Sequence, residues 1–273
     1  MYGVGSILGR GVKDIVDKRC VVMGSGVPQG GRIELPSNWD VRWVRGPYSA
    51  EALGVSGELG VGDPAILLPE LTHVNGVHGD EISIIPHFKS YKNFDWQRLS
   101  SQSDYKVINP MGPLEAVIAG IRNSKLVLSE SLHGAIFSDT MGIPWAPLVL
   151  SYKFNKLKWL DWLATIGRSF EPFVVDRPLV NQVKASKILP NLLARWVEFS
   201  YKTFDARLRP IHAARDEDVL AVRQQIDDFV KDLAKFSASP SELIQRQKNE
   251  MMKIIGAFNG NMSEERSSKL DKF

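Results

Sequence analysis

Val127-Leu-Ser-Glu-Ser-Leu-His-Gly-Ala-Ile-Phe-Ser-Asp-Thr-Met-Gly-Ile-Pro-Trp-Ala-Pro-Leu148 reads as strand, loop, helix, turn and strand. Leu126 to Leu128 form a short apolar run after Lys125. Ser129, Glu130 and Ser131 then supply loop residues and N-cap candidates, whose side-chain oxygens can satisfy the first amides of a helix. Leu132, Ile136 and Met141 give that helix an apolar side. Gly142 can take the left-handed conformation that ends it, and Pro144 cannot continue it. Trp145 to Leu150 is apolar enough for a buried parallel strand. This pattern puts His133 in the first turn of a helix, at the carboxyl end of a strand. The helix dipole and unpaired amides favour anions there, and open α/β sheets bind ligands outside the carboxyl ends of their strands.

The flanking sequence repeats the plan. Pro113 to Arg122 is an amphipathic helix, with Leu114, Val117, Ile118 and Ile121 on one face. Glu81 to Pro86 and Tyr105 to Ile108 read as strands, the first ending at His87, which is either a site residue or a partly exposed loop residue. Two helix–strand repeats in succession argue for a parallel, doubly wound sheet. Further upstream, Cys20 to Met23 is a buried strand and Gly24-Ser-Gly26 either a tight turn or a ligand loop. Gln29 breaks the dinucleotide-binding glycine pattern that would otherwise begin there. Val41 to Arg45 alternates as a strand, which leaves Arg45 at its carboxyl end, and Ser49 is a cap for a helix beginning near Ala50. The Arg45 guanidinium either grips an anion bidentately or pairs with a nearby acid. Asp63 either caps its loop or faces the site, and Ala65 to Leu68 reads as a short buried strand.

The expected organisation is a first α/β domain over 1–75, a second over 76–182, a helical region over 183–258 and a frayed tail over 259–273. Helices are expected over Val12–Lys18, Val183–Phe204, Asp216–Phe236 and Ser241–Phe258, and a linker over Pro69–Asp80. Lys156-Leu-Lys-Trp-Leu-Asp-Trp-Leu163 reads as a helix whose tryptophans are core or, second to that, a sugar platform.

Composition narrows the function. Hydrophobic residues make up 44% of the 273, enough for a packed core. A net charge of +3 is too small to argue for nucleic acid. It is compatible with an anionic substrate or loose contact with an anionic membrane surface. The single cysteine, Cys20, excludes an intrachain disulfide and reads as a packing residue. No apolar stretch approaches the ~20 residues of a membrane span, and the N-terminus lacks a signal-peptide pattern. A cytoplasmic protein is expected, with peripheral contact at the inner face of the membrane. His73 and His78 lack the companions of a metal site, and no metal is expected.

Ser131-Leu-His-Gly-Ala-Ile-Phe137 followed by Gly142-Ile-Pro-Trp145 resembles the signature of the polysaccharide pyruvyl transferase family. The likeness is to its exopolysaccharide ketal pyruvyltransferases of the succinoglycan type. Trp43-Val-Arg-Gly-Pro-Tyr-Ser49, Gly62-Asp-Pro-Ala-Ile-Leu67 and the Pro86-His87 pair extend it. Ser131 stands where many members carry an arginine. The chain also looks shorter than the family at its N-terminus, without the first strand–helix unit.

The resemblance implies two Rossmann-like doubly wound parallel-sheet domains, GT-B-like, facing a cleft, with C-terminal helices. It implies transfer of pyruvate from phosphoenolpyruvate to two hydroxyls of one sugar. The acceptor would be lipid-linked or an oligosaccharide, and the reaction would need no cofactor beyond the donor substrate. His133 would be catalytic, with Arg45, Ser131, Leu132 and Gly134 around the donor and His87, Glu130 and Asp63 as further contacts. His133 is the residue type whose reference pKa suits proton transfer near neutrality. It serves as acid or base, as a cationic phosphate ligand, or only as a structural histidine at a helix start. Two other functions stay open at this point: a two-Rossmann glycosyltransferase with a nucleotide-sugar pyrophosphate at the same helix terminus, and a shortened, inactive relative.

Overall fold

The structure, a computed structural model, describes residues 5–8, 18–28, 30–71, 79–92, 94–150, 154–175 and 216–270. In chain order its first elements are β1 (Val21–Met23), β2 (Asp40–Trp43), α1 (Pro47–Leu53), α2 (Leu68–Leu71), β3 (Glu81–Ile85), α3 (Phe88–Tyr91), α4 (Trp96–Ser101) and β4 (Tyr105–Val107). They are followed by α5 (Leu114–Arg122), β5 (Ser124–Ser129), α6 (Leu132–Thr140), β6 (Trp145–Val149), α7 (Lys156–Thr165), β7 (Phe173–Val174), α8 (Asp216–Val230) and α9 (Ser241–Leu270). Nearly all of the helix expected over Val12–Lys18, that over Val183–Phe204, and His73 and His78 of the linker lie outside the described residues.

Two compact units form: Met1–Leu68 with Leu157–Ser169 and Ser239–Phe273, and Pro69–Lys156 with Phe170–Ala238. This division differs from the expected linear one. Residues 157–169, expected in the second domain, belong to the first unit. The C-terminal helices make no region of their own: α8 belongs to the second unit and α9 to the first. Amphipathic spacing tells which face of a helix is buried but not which core receives it.

The second unit is built on a parallel sheet in the order β4-β3-β5-β6-β7. Ile85 at the end of β3 pairs with Ser129 at the end of β5. Alternation along the strands divides the two faces. Ile84, Leu126, Leu128, Ala146 and Leu148 point to one face, packed with Trp96 and Leu99 of α4 and with Val219, Val222 and Ile226 of α8. Ile85 and Ser129 point to the other, where Gly134 of α6 rests on them. Helices therefore cover both faces, as a wholly parallel sheet requires. Asp139 accepts from Trp145 Nε1 at 2.8 Å, tying the end of α6 to the start of β6. At the sheet edge, Tyr105 Oη donates to Asp227 Oδ1 of α8 at 2.5 Å. Burial, and then that bond, raise the Tyr105 pKa well above its ordinary value.

The first unit contains the parallel pair β1 and β2. Its core gathers Leu8, Cys20, Val22, Val27, Trp39, Val44, Ala50 and Ala52, so Cys20 packs as expected. Three local expectations are corrected here. Ala65 to Leu68 is not a strand: Pro64–Leu67 is a 3-10 turn running into α2. Asp63 Oδ1 accepts from Ala65 N–H at 3.0 Å, and proline at the first position suits a helical start. Ser49 does not cap α1, which begins at Pro47. Over residues 259–270 the expected tail is instead helical, because α9 continues to Leu270 through a sequence with no proline to stop it. In its first half Gln247 donates to the carbonyls of Val61 and Thr165, and Met251 packs against Gly62.

Candidate active site

In the second unit, the chain runs from β3 to one neighbour, β4, and then crosses to the other, β5. The ends of β3 and β5 thus flank the point where strand order reverses, the usual ligand crevice of open α/β sheets. The sequence between Ile85 and Gly134 brings its candidates to that point. Glu130, only 1% exposed, follows β5, and its Oε2 accepts from the His87 N–H at 2.8 Å. This bond joins the loop after β3 to the loop after β5. The backbone N–H groups of Glu130 and Ser131 both donate to the Ile85 carbonyl, at 2.8 and 3.4 Å. Ser129 Oγ donates to the Ser131 carbonyl at 2.7 Å.

Ser131 occupies the N-cap of α6, but its side chain makes no capping bond. His133 is the second residue of the helix and is half-buried, its ring stacked on Phe137 one turn later with centroids 6.4 Å apart. Leu132 is buried, so its side chain belongs to the core and only its backbone can face a ligand. Gly134 has a packing role: a Cβ there would come within 2.5 Å of Ser129 Oγ and 3.0 Å of the Ile85 side chain. Glycine lets α6 lie flush on the strand ends, which fixes the height of His133. His87 caps α3, its Nδ1 accepting from Lys89 N–H at 3.4 Å.

Arg45 lies elsewhere, at the carboxyl end of β2 in the first unit. It is 0% exposed. Its Nε donates to Asp161 Oδ2 at 3.1 Å and its Nη1 to Ser6 Oγ at 2.6 Å. Asp161 of α7 also accepts from the Ser49 backbone at 2.9 Å and from Ser49 Oγ at 2.5 Å. The carboxylate therefore does the capping expected of Ser49, since it meets an amide in the first turn of α1. A Cβ at Gly26 would lie 2.2 Å from Arg45 Cζ, and one at Gly46 1.9 Å from the Asp161 carbonyl oxygen. Of the two readings open for Arg45, the ion pair is present in the structure, with Asp161. Asp63 caps the 3-10 turn that follows it.

The sequence reading missed Asp161. Its one signal is a lone acid among the apolar residues of Trp159-Leu-Asp-Trp-Leu163, all of which but Leu160 are buried. Among the described residues, no group of three His, Cys, Asp or Glu side chains could hold a metal ion. No described helix is long and apolar enough to cross a membrane.

The sequence profile of a family described as polysaccharide pyruvyl transferase matches residues 2–152, more than half of the chain. The succinoglycan biosynthesis protein ExoV of Rhizobium meliloti (strain 1021) is 34% identical over 175 residues, which cover 63% of this chain. The chain spans about half the length of that curated relative, 55% of it. No solved structure matches.

Proposed function

Because this chain belongs to the polysaccharide pyruvyl transferase family, we propose that it transfers pyruvate from phosphoenolpyruvate to two hydroxyls of one sugar during exopolysaccharide synthesis. The observation that carries this reading is the position of His133. It stands in the first turn of α6, at the end of β5, where the strand order reverses. The helix start suits the donor's phosphate or carboxylate. The matched residues include all of β3 to β6 and hence this whole strand end. We read the two units as Rossmann-like domains of the GT-B kind, supported by the parallel order of one sheet and the parallel pair in the other.

The reaction balances as follows. A proton is added to the methylene carbon of phosphoenolpyruvate, and the adjacent carbon becomes electrophilic. One sugar hydroxyl bonds to that carbon, and the carbon–oxygen bond to phosphate breaks with its electrons going to phosphate. The second hydroxyl bonds to the same carbon and closes the ketal. One hydroxyl proton replaces the one delivered to the methylene, and the other leaves on inorganic phosphate. His133 carries a proton in this cycle or holds the phosphate as a cation, and both roles need it facing the donor. Glu130 sets its surroundings by holding the His87 loop against the end of β5. Arg45 enters as the anchor of the first unit.

The test is incubation of the chain with phosphoenolpyruvate and oligosaccharide from succinoglycan whose ketals have been removed by mild acid. Phosphate release accompanied by a new ketal methyl singlet in the proton spectrum is expected. Consumption of a nucleotide sugar, with phosphoenolpyruvate untouched, would replace this reading with a glycosyltransferase.

A further inference from the structure

We propose that Phe88 is the platform on which the acceptor saccharide stacks, an inference that rests on the pyruvyl-transfer reading above. Phe88 opens α3 directly after His87, so the two Cα atoms are about 3.8 Å apart. His87 is itself bonded to Glu130 at the end of β5. Phe88 therefore follows directly on a residue tied to the strand end that carries His133. It is 44% exposed, whereas Phe94, Trp96, Tyr105 and Trp145 of the same unit are buried.

A single exposed apolar side chain ordinarily needs no explanation. Position and surroundings set this one apart. The His87 ring lies 4.4 Å from it at a tilt of 44°, and Lys89 Nζ lies 5.7 Å from its centroid. An apolar face bordered by an imidazole and an ammonium matches the chemistry of a pyranose. The sugar's C–H face packs on the aromatic ring, and its hydroxyls meet the polar neighbours. Both acceptor hydroxyls must reach one carbon of the donor, so the sugar has to be held close to it. Phe88 would thus set acceptor affinity, and the α6 start would set donor affinity.

The test separates the two affinities. Depyruvylated succinoglycan oligosaccharide is titrated into the 273-residue chain by saturation-transfer NMR, and phosphoenolpyruvate is titrated separately by calorimetry. Phe88→Ala should weaken oligosaccharide binding about tenfold and leave donor binding unchanged. Phe88→Trp should keep both. Equal oligosaccharide affinity in Phe88→Ala and the parent chain would overturn the inference, as would a parent chain that binds donor but no oligosaccharide. A parent chain that binds oligosaccharide through Phe88 but no phosphoenolpyruvate would uphold the platform and overturn the donor reading instead.

Discussion

Two strand ends in this chain carry a nitrogen-bearing side chain, and the fold encloses them differently. After β2, Arg45 is wholly buried, bonded to Asp161 and Ser6, with Gly26 and Gly46 leaving room for the pair. After β5, His133 is half-buried at the reversal point of a parallel sheet, backed by Phe137. Residue type and strand-end position are the same kind of evidence in both cases. Burial and partners separate them. A guanidinium enclosed with a carboxylate is held by its desolvation, since an isolated buried charge is costly. The His133 ring is enclosed only in part.

The largest expected contrast comes from removing each group's function. His133→Ala should lower turnover by about 10²–10⁴, the usual worth of a proton-transferring side chain, with little change in the urea unfolding midpoint. Asp161→Ala should do the reverse, costing about 3–5 kcal/mol of stability by leaving the Arg45 charge buried alone. Replacing both as Arg45→Met with Asp161→Leu should recover much of that loss in the same unfolding measurement. Loss of donor affinity without loss of stability in an Arg45 variant would erase the distinction between the two ends.

Glycine substitutions sharpen it further. Gly46→Ala should cost about 1–3 kcal/mol or more by overpacking against the Asp161 backbone. Gly134→Ala should cost similarly but also lower turnover, because it lifts α6 off Ser129 and Ile85 and misplaces His133.

Smaller effects follow. Tyr105→Phe should lose about 1 kcal/mol, one side-chain hydrogen bond. The folded pKa of Tyr105 is raised, so the unfolded chain gives up this proton first. The contribution is therefore whole below pH of about 10 and declines above it. The phenylalanine variant should lack that alkaline slope in unfolding experiments. Ser131→Ala should change stability by less than about 0.5 kcal/mol, as its side chain caps nothing. Any loss of donor affinity in that variant would then report a direct contact.

The sequence was most informative where the signals are local. Gly142 does take the left-handed conformation, with φ at 71°, and the strand–helix–strand unit around His133 follows from short-range periodicity. The same kind of reading failed at Ala65–Leu68, where an apolar run suggested a strand but the Asp63-Pro64 start dictated a helical turn. Non-local facts were out of reach. Asp161 is 116 residues from Arg45, and nothing in either neighbourhood announces the other. The return of residues 157–169 and of α9 to the first unit was equally hidden. Gly134 could be read as a ligand-side glycine, and only the packing reveals that it faces the strands.

Calorimetric titration of phosphoenolpyruvate into the parent chain, His133→Ala and Arg45→Met with Asp161→Leu tests the central claim most directly. Saturable binding by the parent and the folded double variant, abolished in His133→Ala, is the predicted result. Binding that survives in His133→Ala but disappears in a folded Arg45 variant would put the donor at the other strand end and contradict it.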